Sequence, residues 1–237
     1  SIDLNGATVI TGTLKAEQGF DYQLTTLLHD DFMSASSASC YNWSNDFELN
    51  APTMTSTNVS SNHWGIVRIA CSDNDYNDYC TLYLGSDIIK LGASTVIYRA
   101  SIYIGQLSTA LQEFELDIGI ADSTALSAHA DAVHFRYKRA TSVNWLMCTA
   151  NNSTRTETAS STAVTAGAWL DLKIIIINAT SAEFFVNDVS IGTVTTNLPG
   201  TTRATTLLVR MIKTSGSNSV YTDVDYIKLA AKFNVTR

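Results

Sequence analysis

The chain has 237 residues, of which 45% are hydrophobic and 16% charged, and its formal net charge is −7 at pH 7. Such an apolar share with so little charge excludes a disordered chain. The acidic balance, with no basic cluster larger than "RYKR" at 136–139, argues against partners that are nucleic acids or anionic membrane surfaces. The longest apolar run, "IIII" at 174–177, is far too short to span a bilayer and reads as a buried strand, so membrane insertion is not expected.

The N-terminal stretch "SIDLNGATVITGTLKAEQG" alternates short apolar pairs with Asn-Gly and Thr-Gly turn signals. It has too little apolar surface to form a core of its own. Residues 1–28 are therefore expected to be an arm, either frayed or pairing its strands between chains to build an oligomer. A start at Ser1 fits a processed chain or a piece of a longer one.

The main domain is expected over 29–237, opening with "DDFMS". Alternating or short apolar runs then predict strands at "HWGIVRIAC" (63–71), "DYCTLYLG" (78–85), "STVIYRASIYIG" (94–105), "LQEFELDIGIAD" (111–122), "DAVHFRYKRA" (131–140) and "VNWLMCTAN" (143–151). "STRTETASSTAV" reads as a solvated strand, "STALSAHADA" (123–132) as a short helix or a loop. "WLDLKIIIINATSAEFFVNDVSIG" reads as two successive hairpins, followed by "ATTLLVRMIKT" and "YTDVDYIKLAAKF". About a dozen strands joined by short turns predict an all-β antiparallel sandwich.

Four cysteines occur without a CxxC pair. A disulfide between Cys71 and Cys80 across "SDNDYNDY" is one option; free buried thiols are favoured, because a domain of this size needs no staple. No cofactor is implied. The same loop places Asp73, Asp75, Asn77 and Asp78 within six residues, a set of oxygen donors suited to calcium but also ordinary turn chemistry. Trp43, Trp64, Tyr76, Tyr79 and Tyr103 stand in polar surroundings and are candidate sugar platforms, whereas Trp145 and Trp169 are expected in the core. The four histidines are scattered and suggest no metal pair.

Several pieces in order carry a resemblance: "DDF", "NHWGIVRI", "LYLG", "LSTALQEFELDIGIADS", "VHFRYKR", "AWLDLKI", "EFFVNDVSIGT" and "VDYIKL". Together they resemble the concanavalin A-like jelly-roll domain of tailed-phage fibre and virion structural proteins, and the N-terminal stretch resembles the shaft-like repeats of phage fibres. The resemblance implies a non-enzymatic virion structural protein: a tail fibre, spike or capsid decoration exposed on the particle surface. It also implies a homotrimer contacting other virion proteins, with a host-surface glycan as candidate ligand.

The same fold suggests an alternative, a glycoside hydrolase or lyase. Glu113, Glu115 and Asp117 alternate along one strand face. Concanavalin A-like glucanases carry a Glu-x-Asp-x-(x)-Glu strand, and Glu115-Leu116-Asp117 resembles its first half. The third acid would fall at Gly119 or Ile120, neither of which can donate or accept a proton; the spacing of about 5 Å between two carboxyls that retaining chemistry needs does not by itself exclude residues two apart on one strand face. Moreover, "VHFRYKR" alternates His134, Arg136 and Lys138, which antiparallel pairing would set opposite Glu115 and Asp117. A salt-bridged, solvated sheet face is therefore expected, with Tyr103, Glu115, Asp117, His134, Arg136 and Trp64 as candidate ligand contacts and no catalytic residue.

Overall fold

A computed structural model describes residues 25–32, 43–47, 53–56, 62–63, 65–71, 78–85, 89–92, 94–124 and 128–233. The shaft-like stretch, Trp64, Asp73, Asp75, Tyr76 and Asn77 lie outside them. Among the described residues every regular element of more than one residue is a strand. In chain order these are β1 (Thr25–Asp30), β2 (Ser44–Phe47), β3 (Thr53–Ser56), β4 (Val67–Cys71), β5 (Tyr79–Tyr83), β6 (Ile89–Lys90), β7 (Ser94–Ile104) and β8 (Glu113–Ala121). They continue with β9 (Ala132–Lys138), β10 (Ser142–Asn151), β11 (Thr154–Ala163), β12 (Trp169–Ile177), β13 (Ser181–Val186), β14 (Val189–Val194), β15 (Ala204–Ser215) and β16 (Val220–Phe233).

The strands form two antiparallel sheets. The first runs β14-β13-β12-β7-β16-β4-β3, and the second runs β11-β10-β9-β8-β15-β5-β2. The two longest strands organise them. β16 has β7 along one edge and divides the other between β4 and β1. β15 has β8 along one edge and divides the other between β5 and β6. β1 straddles the boundary expected at residue 28 and pairs within the sandwich.

Period-two alternation explains how the sheets stack. Val96, Tyr98, Ala100, Ile102 and Ile104 of β7, with Leu170, Leu172, Ile174 and Ile176 of β12, face inward from the first sheet. Phe114, Leu116, Ile118 and Ile120 of β8, with Val133, Phe135 and Tyr137 of β9, meet them from the second. Phe135 packs edge-on against both Trp145 and Phe184, and so ties the two layers together.

Several expectations change. β4 and β5 belong to opposite sheets and do not pair with each other. As favoured, Cys71, Cys80 and Cys148 are buried thiols outside any disulfide, and burial pushes the Cys71 thiol up to about 12. Asp78 is also buried, and its carbonyl accepts from the Lys213 N–H at 2.7 Å. Trp43 is buried, not exposed, with its indole N–H donating to Asp30 Oδ2 at 2.8 Å. Residues 122–131 form a connection without helix among the described residues.

Phe135→Ala should lower stability by about 3–5 kcal/mol, since it empties the contact between the layers. Urea denaturation of the two proteins, compared at equal m-value, measures this.

Candidate functional site

The alternating carboxylates lie on the outer face of the second sheet, and their partners follow from register. Glu115 is opposite Lys138 and Asp117 opposite Arg136 on β9. On the other side Asp117 is opposite Arg210 of β15. Glu115 pairs with Lys138 at 2.7 Å and Glu113 with Arg139 at 3.0 Å, all four partly exposed.

Asp117 is different, because its side chain is only 1% exposed. Arg136 donates from Nε to Oδ1 at 2.7 Å and from Nη2 to Oδ2 at 3.1 Å. Arg210 donates from Nη2 to Oδ2 at 2.7 Å. The third Arg136 nitrogen, Nη1, donates to Glu157 Oε1 at 2.6 Å. The expected solvated face is thus wet at Glu113 and Glu115 and dry at Asp117. The correction has a physical cause. The described ends of the following connection, 122–124 and 128–131, lie against this face, held by Thr81 Oγ1 on the Thr124 carbonyl and by Arg155 on the His129 carbonyl.

That connection brings His129 to Asp117 and His134. Their Nε2 atoms lie 3.4 and 3.5 Å from the carboxylate, and the two rings meet edge-on at 5.1 Å. None of the four ring nitrogens is aligned for a hydrogen bond. The expectation of scattered histidines fails here, because only chain folding sets a loop residue beside a strand residue.

Burial pushes both imidazoles down, so they are neutral at pH 7. Burial acts to raise the Asp117 carboxyl, but the nearby positive charges, Arg136 first, outweigh it and hold it well below the usual carboxylate range. With the imidazoles neutral, the two guanidiniums supply that charge. Asp117, His129 and His134 are spaced to hold a metal ion. Both carboxylate oxygens, however, already accept guanidinium N–H, so a cation would have to enter beside two arginines.

Acid catalysis is no better served. A general acid needs a raised pKa, and Asp117 moves the other way. At Gly119, with φ +153°, an added Cβ would lie 2.5 Å from the Val133 carbonyl oxygen and 2.7 Å from His134 Cα. β9 crosses so close that no glutamate fits there. The cleft beside the cluster, lined by His129, His134, Arg136, Cys148, Arg155 and Glu157, encloses about 10 Å³, at the lower limit for one water and far below a sugar ring. Asp117, His134 and Arg136 are therefore built into the sheet, and of the expected ligand contacts on this face Glu115 alone reaches solvent.

Tyr103 lies on the outer face of the first sheet, across the molecule from Glu115. It is half-buried beside Trp169, which is itself half-buried on that face and not in the core. Trp145 is in the core as expected.

Fold and site together define a concanavalin A-like jelly-roll sandwich whose carboxylate strand is locked by arginine. The chain belongs to the family described as SO2946-like, C-terminal domain, whose model matches residues 102–225. It is similar in structure to the protein of unknown function SO2946 from Shewanella oneidensis MR-1, with TM-score 0.66 and 16% identity over 91% of this chain and 90% of that one. It is also similar to an endo-1,3-beta-glucanase from Streptomyces sioyaensis, with TM-score 0.59 and 12% identity over 88% and 97%. The Emp46p carbohydrate recognition domain gives TM-score 0.53 and 9% identity over 79% and 88%. No curated protein sequence matches the chain. At these identities the likeness establishes the fold.

Removing the Asp117 charge takes from the buried Arg136 and Arg210 the carboxylate they share, so Asp117→Ala should cost about 3–5 kcal/mol in urea denaturation. Lowered imidazole pKa values mean that the unfolded chain binds protons first on acidification. Stability should hold from pH 8 to 7 and then fall as pH drops through about 6.5, by up to about 1.4 kcal/mol per pH unit for each imidazole. Urea midpoints at pH 7.5 and 5.5 test this, and the double variant His129→Gln, His134→Gln should flatten the change.

Proposed function

We propose that this domain is a non-catalytic, carbohydrate-binding sandwich module of a tailed-phage virion protein (fibre, spike or capsid decoration). One observation carries the non-catalytic part: Asp117 is buried between Arg136 and Arg210. An acid held ionised and dry neither donates a proton nor reaches an anomeric carbon. Carbohydrate as the ligand class is supported by structural neighbours that include glucanases and a carbohydrate recognition domain. The phage particle, the trimer built through residues 1–28 and the host-surface glycan are supported by the order of the sequence pieces.

A hydrolase or lyase is the competing reading, and the partly exposed Glu115 is the observation in its favour. The full chain incubated with soluble β-1,3-glucan and with mixed-linkage glucan should release no reducing ends and no unsaturated product over a day. Product formation abolished by Glu115→Gln would replace this reading with the enzymatic one. Light scattering should give the mass of a trimer, and a glycan array should register binding without product.

A further inference from the structure

A row of side chains crosses the outer face of the first sheet, on the side of the molecule away from the carboxylate strand. Register sets Trp169 of β12 opposite Tyr103 of β7, Tyr103 opposite Asp223 of β16, and Asp223 opposite Arg68 of β4. Four adjacent strands thus contribute one residue each, and at the spacing between strands the row is about 14 Å long.

One end is aromatic. His63 lies flat on Trp169, with ring centroids 4.1 Å apart and planes 16° apart, and Tyr103 leans against the same indole at 5.7 Å. All three rings are partly exposed. The other end is polar and fixed. Arg68 makes a bidentate pair with Asp223 at 2.7 and 2.8 Å, and its guanidinium carbon stands 3.8 Å above the Tyr221 ring. His63 Nδ1 meets Asp225 Oδ2 at 2.8 Å, which orients the ring and leaves Nε2 for another partner.

We infer that this row is a binding site for a neutral oligosaccharide. The inference rests on the carbohydrate-binding reading above and gives it a location. An apolar C–H face of a sugar packs on flat amphipathic rings, and sugar hydroxyls are recognised by a few oriented polar groups beside them. Here those groups are held by their own ion pairs and stacking, so little ordering is needed on binding. Local charge selects the class. Arg68 is matched by Asp223, and Asp225 faces His63, so the row carries no excess positive charge and offers nothing to an anionic sugar.

Neutral trisaccharides of glucose, galactose and N-acetylglucosamine, titrated calorimetrically into the full chain, test the site. At least one should bind, and Trp169→Ala and Tyr103→Ala should each weaken it about ten-fold or more. Thermal unfolding confirms that the variants are folded, and Tyr103→Ala serves alone if Trp169→Ala is not. No binding by the unaltered protein to these sugars or to any glycan on an array would overturn the carbohydrate reading itself. Binding that is unchanged in both variants, or is lost in Glu115→Gln instead, would keep that reading and overturn this location. Binding confined to acidic glycans would overturn the neutral class.

Discussion

Asp117 joins three strands of the second sheet through two guanidiniums, and much of the outer face follows from that. A buried carboxylate is costly unless it is paired and hydrogen-bonded, and here Arg136 and Arg210 occupy both its oxygens. The pairing also penalises register errors. A slip of one residue would turn Asp117 into the core, where Ile118 and Leu116 now sit, and either bring both arginines with it or part them from its carboxylate. Once the carboxylate is neutralised, a neutral imidazole can pack against it, which is what His129 does.

The two outer faces are therefore used differently. That of the second sheet is charge-balanced at its centre and covered, with only the Glu113–Arg139 and Glu115–Lys138 end of the strand open to water. That of the first sheet leaves Trp169, Tyr103 and His63 partly open, with the Arg68–Asp223 pair further along the same row. Glucanases and a carbohydrate recognition domain share this sandwich, so the fold by itself does not separate cutting from holding. The separation comes from which carboxylates keep access to solvent and a usable pKa.

The strand pairings nearest in sequence were legible beforehand. "EFELD" and "VHFRYK" are consecutive strands of opposite charge on matching alternate positions, and short connections make consecutive strands neighbours. The partner from β15 was not legible, because Arg210 lies 93 residues from Asp117 and "LLVRMI" reads as apolar strand with one interruption. Trp169 was misplaced because an apolar run does not say which of its first residues faces out. That β4 and β5 lie in different sheets was not legible either, because a short polar segment looks the same within a sheet and between sheets.

Alternation, turn residues and composition alone determined that this chain is an antiparallel sandwich, and that Glu115 and Asp117 face basic side chains. Those are consequences of local geometry: a two-residue period puts side chains on faces, whatever the rest of the chain does. Tertiary structure alone decided that Asp117 is dry, that His129 reaches His134, that β9 leaves no space beside Gly119, and that Tyr103 and Trp169 share a row on the opposite face. Each of these depends on which distant strand or loop lies across a given position, and burial, which sets both pKa and access, is a property of that assembly and of no single segment.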